Sequence, residues 1–426
     1  MLISLTLLLL LFIALGMPIA FSMGLAAFGA LALDGSIPLL VMPQKMYSSL
    51  DSFPLLAIPL FILAGAVMNI SGITGRLIDL SRILVGRLRG GMGHVTIMTS
   101  FLFATISGSA AASAAAVGSM MVPAMVEDGF RKEDAAVVNA SAAILGPILP
   151  PSVVMVIYAS MTGLSVGTLF LAGIFPGVLI ALVLMGAVFV LAHRDGIKKS
   201  VTAVSAREIF DAIRRSIVAL LMPAIIVGGI ISGVVTATEA GVIAVLYGAA
   251  FALLTRRSTL GQLASNMTQA AITSSSIMII MGGASVFGWI IAREGVPVMI
   301  VTAMQAFTAD PLIAMAAILV ILLVIGIFIE PIPALIMLVP VLQPLGMSYG
   351  FDPYQFAMVI IFGVLMGSLT PPVAVLLLIT CKIAGVDQNK ANRPLLPVFG
   401  ALIGALVIIA FVPGVSTLIP ALFSPS

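Results

Sequence analysis

Two proline pairs, each inside an apolar stretch and each preceded by a glycine, constrain the fold of this chain more than any other feature. They belong to the segments Gly146-Pro147-Ile148-Leu149-Pro150-Pro151 and Gly367-Ser368-Leu369-Thr370-Pro371-Pro372, and positions 150 and 371 lie 221 residues apart in a chain of 426. Proline has no amide hydrogen and its ring clashes with the preceding helical turn, so each pair predicts a broken helix. A helix broken inside a bilayer is tolerated only where protein or a water-filled cavity satisfies the freed carbonyl groups. Breaks at corresponding positions of two halves are typical of the binding site of a secondary transporter.

The composition places both breaks in a membrane. Hydrophobic residues make up 61% of the chain and charged residues only 8%, whereas about 25% of the residues in a soluble domain are charged. The apolar runs are long, which favours spanning helices over the alternating strands of a barrel. We therefore predict an all-α integral membrane protein that crosses the bilayer several times. Met1 to Leu15 has no positive region and its apolar run continues past Pro18, so we expect a first spanning helix there and not a cleaved signal.

The chain contains few residues suited to covalent or metal chemistry. Its net charge of +3 reflects basic loops and indicates no nucleic-acid partner, Cys381 is the single cysteine, and His94 and His193 lie far apart in sequence. An enzyme site needs a cluster of nucleophiles, bases or metal ligands, so an intramembrane enzyme is the weaker hypothesis. An uncoupled channel is another alternative, which a continuous polar stripe along a pore would favour over two separate breaks.

Two further apolar regions, 93–126 and 311–347, are interrupted halfway by Ser107-Gly108-Ser109 and by Glu330-Pro331-Ile332-Pro333. Each arm has about 15 residues, whereas a crossing helix needs about 20, so each region predicts a re-entrant helical hairpin. A pair of complete crossings would leave the basic loops on the same side, so charge alone does not decide between the two. With broken helices over 135–164 and 353–384, the two halves share one order of elements. We predict a first repeat over 1–215 and, over 216–426, a connecting helix and a second repeat. Arginine-rich loops belong in the cytoplasm, which makes the first span run outward and its counterpart inward, so we expect inverted repeats and alternating access.

Some features leave alternatives open. Segments 73–90 and 258–267 alternate polar and apolar residues beside arginines, and they predict interfacial amphipathic helices or solvated loops. Region 36–50 is ambiguous. Glu239 and Glu330 stand in apolar surroundings, where a charge is functional by default. Glu239 could instead cap the helix that begins at Thr238.

Four short segments together resemble a known family. They are Gly-Pro-Ile-Leu-Pro-Pro-Ser (146–152), Ser-Gly-Ser-Ala-Ala-Ala-Ser (107–113), Thr-Ala-Thr-Glu-Ala (236–240) and Gly-Ser-Leu-Thr-Pro-Pro (367–372). In these segments and in their order along the sequence, the chain resembles the large membrane subunit of tripartite ATP-independent periplasmic (TRAP) transporters, the DctM or M subunit. The resemblance covers essentially the whole chain. The family often has Thr-Pro-Thr-Glu where this chain has Thr-Ala-Thr-Glu, and Asp at the second tip where this chain has Glu330.

The resemblance implies a function. It implies a multi-pass protein of the bacterial inner membrane that imports an organic anion, such as a C4-dicarboxylate or a sialic acid, with sodium. It implies two protein partners, a small membrane subunit (Q type) and a periplasmic substrate-binding protein (P type). It also implies an elevator motion, in which a transport domain holding both hairpins slides against a scaffold. A sodium–carboxylate symporter that works without a binding protein is the alternative.

Given that resemblance, we expect each hairpin tip to face the break of its own repeat, where free carbonyl and hydroxyl oxygens can bind Na⁺. Two or more ions would be bound, the first by Ser107, Gly108, Ser109, Gly146, Ile148 and Pro150, and the second by Gly326, Glu330, Gly367, Leu369 and Thr370. The anion would meet tip hydroxyls and the amides that begin the half-helices near Ser152 and Val373. The expected substrate-binding residues are Ser107, Ser109, Pro151, Ser152, Pro331, Thr370 and Pro372. The alternatives are that the small tip residues only allow close helix packing, and that the proline pairs only kink their helices.

Overall fold

The computed structural model describes residues 1–197, 206–371 and 374–423, and every regular element in these ranges is a helix. The prediction of an all-α membrane protein is confirmed. Eight of the described helical segments are long and apolar enough to cross a bilayer: Phe53–Ile70, Ala110–Glu127, Val166–Arg194, Ala237–Leu254, Leu260–Arg293, Pro311–Phe328, Pro331–Ser348 and Gln388–Phe411.

The first half contains ten α-helices and one short 3-10 helix, Phe53–Leu56. Before the hairpin come α1 (Leu2–Ala14), α2 (Ile19–Asp34), α3 (Val41–Leu50), α4 (Ala57–Ile70) and α5 (Ile73–Val85). The hairpin is α6 (Gly91–Ser107) and α7 (Ala110–Glu127), the broken helix is α8 (Lys132–Ala143) and α9 (Val153–Thr162), and α10 (Val166–Arg194) follows.

The second half repeats the succession of hairpin, broken helix and long helix. It begins with α11 (Ala206–Ile231), α12 (Ala237–Leu254), α13 (Leu260–Arg293) and α14 (Val296–Phe307). The hairpin is α15 (Pro311–Phe328) and α16 (Pro331–Ser348), the broken helix is α17 (Pro353–Gly367) and α18 (Val375–Ala384), and α19 (Gln388–Phe411) and α20 (Gly414–Phe423) end it. From α6 to α10, each helix begins 220 to 222 residues before its counterpart among α15 to α19. The inverted orientation of the halves and the re-entrance of the hairpins stay predictions. The expected arm length of about 15 residues was too short, because α7, α15 and α16 have 18 residues each and are long enough to cross a bilayer.

The structure differs from the sequence-based expectation at several places. The first apolar run is two helices, because Gly16 takes a left-handed conformation (φ +78°) and Pro18 begins a new helix. Segment 258–267 is mostly the start of the 34-residue α13 and not a separate interfacial helix. Residues 73–85 do form a helix of their own, and region 36–50 contains α3. Pro372 and Val373, expected near the second break, lie outside the described residues.

The two broken helices form the core. Residues 134–143 of α8 and 355–367 of α17 are buried without interruption. The halves interlock around them, since hairpin arm α7 packs on α18 as well as α8, and arm α16 packs on α9 as well as α17. One arm of each hairpin is therefore held against the broken helices of both repeats.

Glu239 begins α12 as a capping residue. The Thr236 amide donates to Glu239 Oε2 at 2.7 Å, and the Glu239 amide donates to Thr236 Oγ1 at 3.3 Å. This reciprocal pair is a capping box, which satisfies two amides that the helix itself cannot. The capping alternative thus accounts for Glu239, and an additional role in transport is not needed to explain it.

A group of ion pairs joins the start of α8 to the end of α10. The buried Asp134 carboxylate lies 2.7 Å from Arg131 Nε and 3.4 Å from Arg194 Nη2. Arg194 Nε also lies 2.8 Å from Asp195 Oδ1, and this hydrogen bond holds the pKa of Asp195 below its usual range. Because α8 leads into the first break, these pairs fix the break relative to α10.

Candidate functional site

The first hairpin turns at Gly108 and Ser109. Gly108 has φ +59°, the left-handed conformation with which many helices end and which glycine adopts without steric cost. Ser109 then caps α7, because its Oγ accepts a hydrogen bond from the Ala112 amide at 3.4 Å. A glycine that ends one helix and a serine that begins the next therefore produce the tip.

This tip rests directly on the first break. A Cβ atom added to Gly146 would stand 2.8 Å from the carbonyl carbon and oxygen of Ser109, and one added to Gly108 would stand 2.5 Å from the carbonyl oxygen of Pro151. Real Cβ atoms do not approach backbone so closely, so both contacts require glycine. The structure thus brings the expected first tip and first break together, backbone against backbone.

The oxygens of the first break are only partly available. The carbonyls of Gly146, Ile148 and Pro150 accept no hydrogen bond from any described residue, which suits cation ligands. The Ile148 oxygen, however, lies against Gly173 of α10, which places it beside a helix other than the tip. Ser152 is also engaged, since its Oγ donates to the Pro147 carbonyl at 2.5 Å and accepts from the Met155 amide at 3.2 Å.

The second tip and break also meet at glycines. A Cβ on Gly367 would overlap the carbonyl of Gly326, so α15 approaches α17 as closely as backbone allows. Gly326 lies four residues before Glu330, so the second tip extends past this contact. Thr370 Oγ1 donates to the Gly367 carbonyl at 3.0 Å, yet a hydroxyl oxygen keeps lone pairs that can bind a cation. The Leu369 carbonyl accepts no hydrogen bond from a described residue.

Both tips open on one cavity of about 600 Å³. Five of the expected site residues line it: Ser107, Gly108, Ser109, Glu330 and Pro331. The other described ones are not part of its lining: Gly146, Ile148, Pro150, Pro151, Ser152, Gly326, Gly367, Leu369 and Thr370. The breaks contribute Pro147 and Ser368 instead, so the two tip–break pairs flank a single space.

The cavity has a clear electrostatic character. Its polar lining consists of hydroxyls, two amides and one carboxylate, that of Glu330, and no lysine or arginine occurs among the described residues of the lining. Carboxylate, carbonyl and hydroxyl oxygens are the ligands that hard cations prefer. An organic anion that entered alone would be repelled by the Glu330 carboxylate, whereas cations bound in the cavity would offset this repulsion.

Sequence reasoning missed four polar residues of the lining outside the hairpins and breaks: Asn69 of α4, and Asn266, Thr273 and Ser276 of α13. The three on α13 belong to a polar stripe, which we define as Gln262, Asn266, Gln269, Thr273 and Ser276. Spacings of four and three residues place them on one face of the helix. A polar face on an otherwise apolar spanning helix was the signal that could have found them.

Comparison with known proteins identifies the family. Residues 6–415 match the family model described as tripartite ATP-independent periplasmic transporter, DctM component. The chain is 35% identical to the sialic acid TRAP transporter large permease protein SiaM of Vibrio cholerae, over 96% of both chains. It is 34% identical to the C4-dicarboxylate TRAP transporter large permease protein DctM of Pseudomonas aeruginosa, over 88% of both chains.

A solved structure shares the fold. The YdaH transporter of Alcanivorax borkumensis superposes with a TM-score of 0.62 at 16% identity, over 87% of this chain and 88% of the other. This likeness concerns the fold alone. The match to the family model covers residues 6–415, and the two relatives named above are matched over 96% and 88% of their length. The chain therefore belongs to the DctM family, the multi-pass large permease components of TRAP transporters in the bacterial inner membrane.

Proposed function

We propose that this chain moves an organic anion across the inner membrane together with sodium ions, which bind at the two tip–break pairs. The observation behind this proposal is the single cavity that both hairpin tips line, with oxygen ligands and a carboxylate and without a described arginine or lysine. Such a lining attracts cations first. The anion would then bind beside the cations, at hydroxyl and amide groups.

The first ion has the better-defined site. Ser107 and Ser109 bring hydroxyls to the tip, and Gly146 brings a carbonyl that no described residue uses, while the Gly146 contact holds tip and break together. At the second pair, Glu330 and Thr370 would contribute a carboxylate and a hydroxyl. Sodium needs several oxygens, and an intact helix offers few because its carbonyls are already hydrogen-bonded. We assign the ion sites to the pairs for this reason.

The family supports the remaining parts of the proposal. A tripartite transporter has two further components, which we expect to be a small membrane subunit and a periplasmic substrate-binding protein. Because the relatives named above are sialic acid and C4-dicarboxylate permeases, we propose a carboxylate as the substrate. We also propose that the hairpins and broken helices, which interlock, move as one body in an elevator motion.

Uptake by proteoliposomes tests this function. The purified chain is reconstituted with its small subunit and a candidate binding protein, and uptake of labelled succinate and N-acetylneuraminate is measured under an inward sodium or potassium gradient. Sodium-dependent uptake that needs the binding protein is the expected result. Uptake without the binding protein would replace the proposal by a stand-alone symporter, and equal uptake in both gradients would refute sodium coupling.

A further inference from the structure

A second cavity, of about 420 Å³, adjoins the central one and shares Asn69 with it. Its polar lining comprises Asn69, Thr74, Ser119 and Arg257, together with Gly72 and Gly75 at the start of α5. It therefore contains what the described lining of the central cavity lacks, a permanent positive charge. The two cavities meet where α4 ends and α5 begins.

The Arg257 side chain lies over the start of α5. A Cβ on Gly72 would stand 2.5 Å from Arg257 Nη1 and 3.3 Å from Cζ, so the guanidinium lies directly against the backbone at Gly72. Among the described residues, no carboxylate lies within ion-pair distance of Arg257. A guanidinium binds a carboxylate through two parallel hydrogen bonds when one is offered. Arg257 is thus available to an anion that enters this cavity.

Polar groups connect the hairpin tips with this arginine. Asn69 Oδ1 accepts from Thr74 Oγ1 at 3.3 Å, which leaves its amide nitrogen as a donor. On α13, the ten-residue step from Ser276 to Asn266 covers about 15 Å of helix rise. That is roughly half of the hydrocarbon thickness of a bilayer. The helix begins three residues after Arg257, at Leu260.

We propose that the smaller cavity is a second, transient carboxylate site, in which Arg257 receives the anion as it leaves the central cavity toward the cytoplasm. The inference rests on the proposed function, because it assumes an anionic substrate. The positive-inside rule places the loop of Arg256 and Arg257 in the cytoplasm. The amide of Asn69, which lines both cavities, passes the carboxylate from one to the other. Release then costs less, because the anion leaves the sodium sites for a permanent positive charge.

The charge in the cavity can be measured without transport. Cys381→Ser removes the single thiol, which is buried, and Ser119→Cys places a thiol in the wall of the smaller cavity. The rates of modification by sulfonatoethyl and trimethylammonioethyl methanethiosulfonate are then compared as a ratio, anionic over cationic. Arg257→Gln should lower this ratio about threefold to tenfold, as expected for one nearby charge in a partly hydrated site.

Arg256→Gln is the matched control, since its side chain is adjacent in sequence but does not line the cavity, and it should leave the ratio unchanged. An unchanged ratio in Arg257→Gln, or an equal fall in both variants, would overturn the site.

Uptake separates this inference from the proposed function. In the proteoliposome assay, Arg257→Gln should lower the maximal rate about threefold or more while the half-saturating sodium concentration stays that of the wild type, and Arg257→Lys should lie between. A normal maximal rate in Arg257→Gln, alongside a fallen labelling ratio, would show a cation that the substrate does not use, and would refute the exit role. A wild type without sodium-dependent uptake would refute the proposed function and with it the exit role, whereas a fallen labelling ratio in Arg257→Gln would still show that Arg257 charges the smaller cavity.

Discussion

The contact between the first tip and the first break can be opened by a single methyl group. In Gly146→Ala, the new Cβ would stand 2.8 Å from the Ser109 carbonyl carbon and oxygen and 3.0 Å from the Ala110 nitrogen, where ordinary contacts begin at 3.4 Å. All three atoms belong to the backbone, so no side chain can rotate away. The tip must therefore move by about 0.6 Å, which is typical of overpacking that costs about 1–3 kcal/mol.

The same displacement should weaken sodium binding. The tip and the break share the proposed first ion. In the ion-free variant, the tip can move away from the break and so relieve the strain, but the two must come together again when Na⁺ binds. A cost of about 1–3 kcal/mol then raises the half-saturating sodium concentration by a factor of roughly 5 to 150. We would measure this concentration in sodium-dependent uptake, and in parallel the rise in unfolding temperature when Na⁺ replaces K⁺, which should shrink.

Gly404→Ala provides the control for this substitution. Gly404 lies in α19 with no heavy atom within 4 Å of an added Cβ, and alanine favours a helix interior by about 1 kcal/mol over glycine. Its sodium dependence should equal that of the wild type. If Gly146→Ala also kept its half-saturating sodium concentration within about twofold, well under the decade that 1.4 kcal/mol produces, the tip–break pair would not be an ion site.

Three other substitutions test neighbouring parts of the argument. Ser107→Ala removes a cavity hydroxyl and should raise the half-saturating sodium concentration about tenfold in the uptake assay; unchanged sodium dependence would remove it from the site. Pro150→Ala with Pro151→Ala lets a helix form across the break, so sodium-dependent uptake should vanish while the protein still inserts, and retained uptake would contradict us. Arg131→Gln removes one partner of the buried Asp134 carboxylate, whereas Asp134→Asn leaves Arg131 and Arg194 unpaired but half exposed, where water can solvate them. The unfolding temperature of Arg131→Gln should therefore be lower than that of Asp134→Asn, and the reverse order would refute this reasoning.

The tips and breaks could be predicted because backbone chemistry determines them. Proline removes donors and excludes a helix, glycine at Gly108 allows a left-handed turn, and Ser109 caps the next helix. These effects act within a few residues. The bounds of both hairpins accordingly came within two residues of the structure, and both breaks fell inside the predicted broken helices.

The direction of individual oxygens could not be predicted. Ser152 follows the break, where a free hydroxyl could have met the substrate, but it bonds to the Pro147 carbonyl instead. The Ile148 carbonyl lies against Gly173, which is distant in sequence. Both outcomes depend on tertiary packing, for which a local pattern has no signal. That Asn69 lines both cavities likewise depends on how α4, α5 and α7 pack together.

The two tip–break pairs differ in a way that separates their roles. Gly146 contacts the first tip at Ser109 itself, whereas Gly367 contacts α15 at Gly326, a full helical turn before the second tip. The first tip is therefore pinned to its break, and the second extends past the contact, where the Glu330 carboxylate is exposed to the cavity. A pinned pair suits an ion, which needs fixed oxygens at short range, and a projecting tip suits a larger ligand that must enter and leave. Substitutions at the first tip should thus alter sodium dependence before substrate preference. Substitutions at Pro331 should do the reverse, and those at Glu330 should alter both, because its carboxylate also belongs to the proposed second ion site.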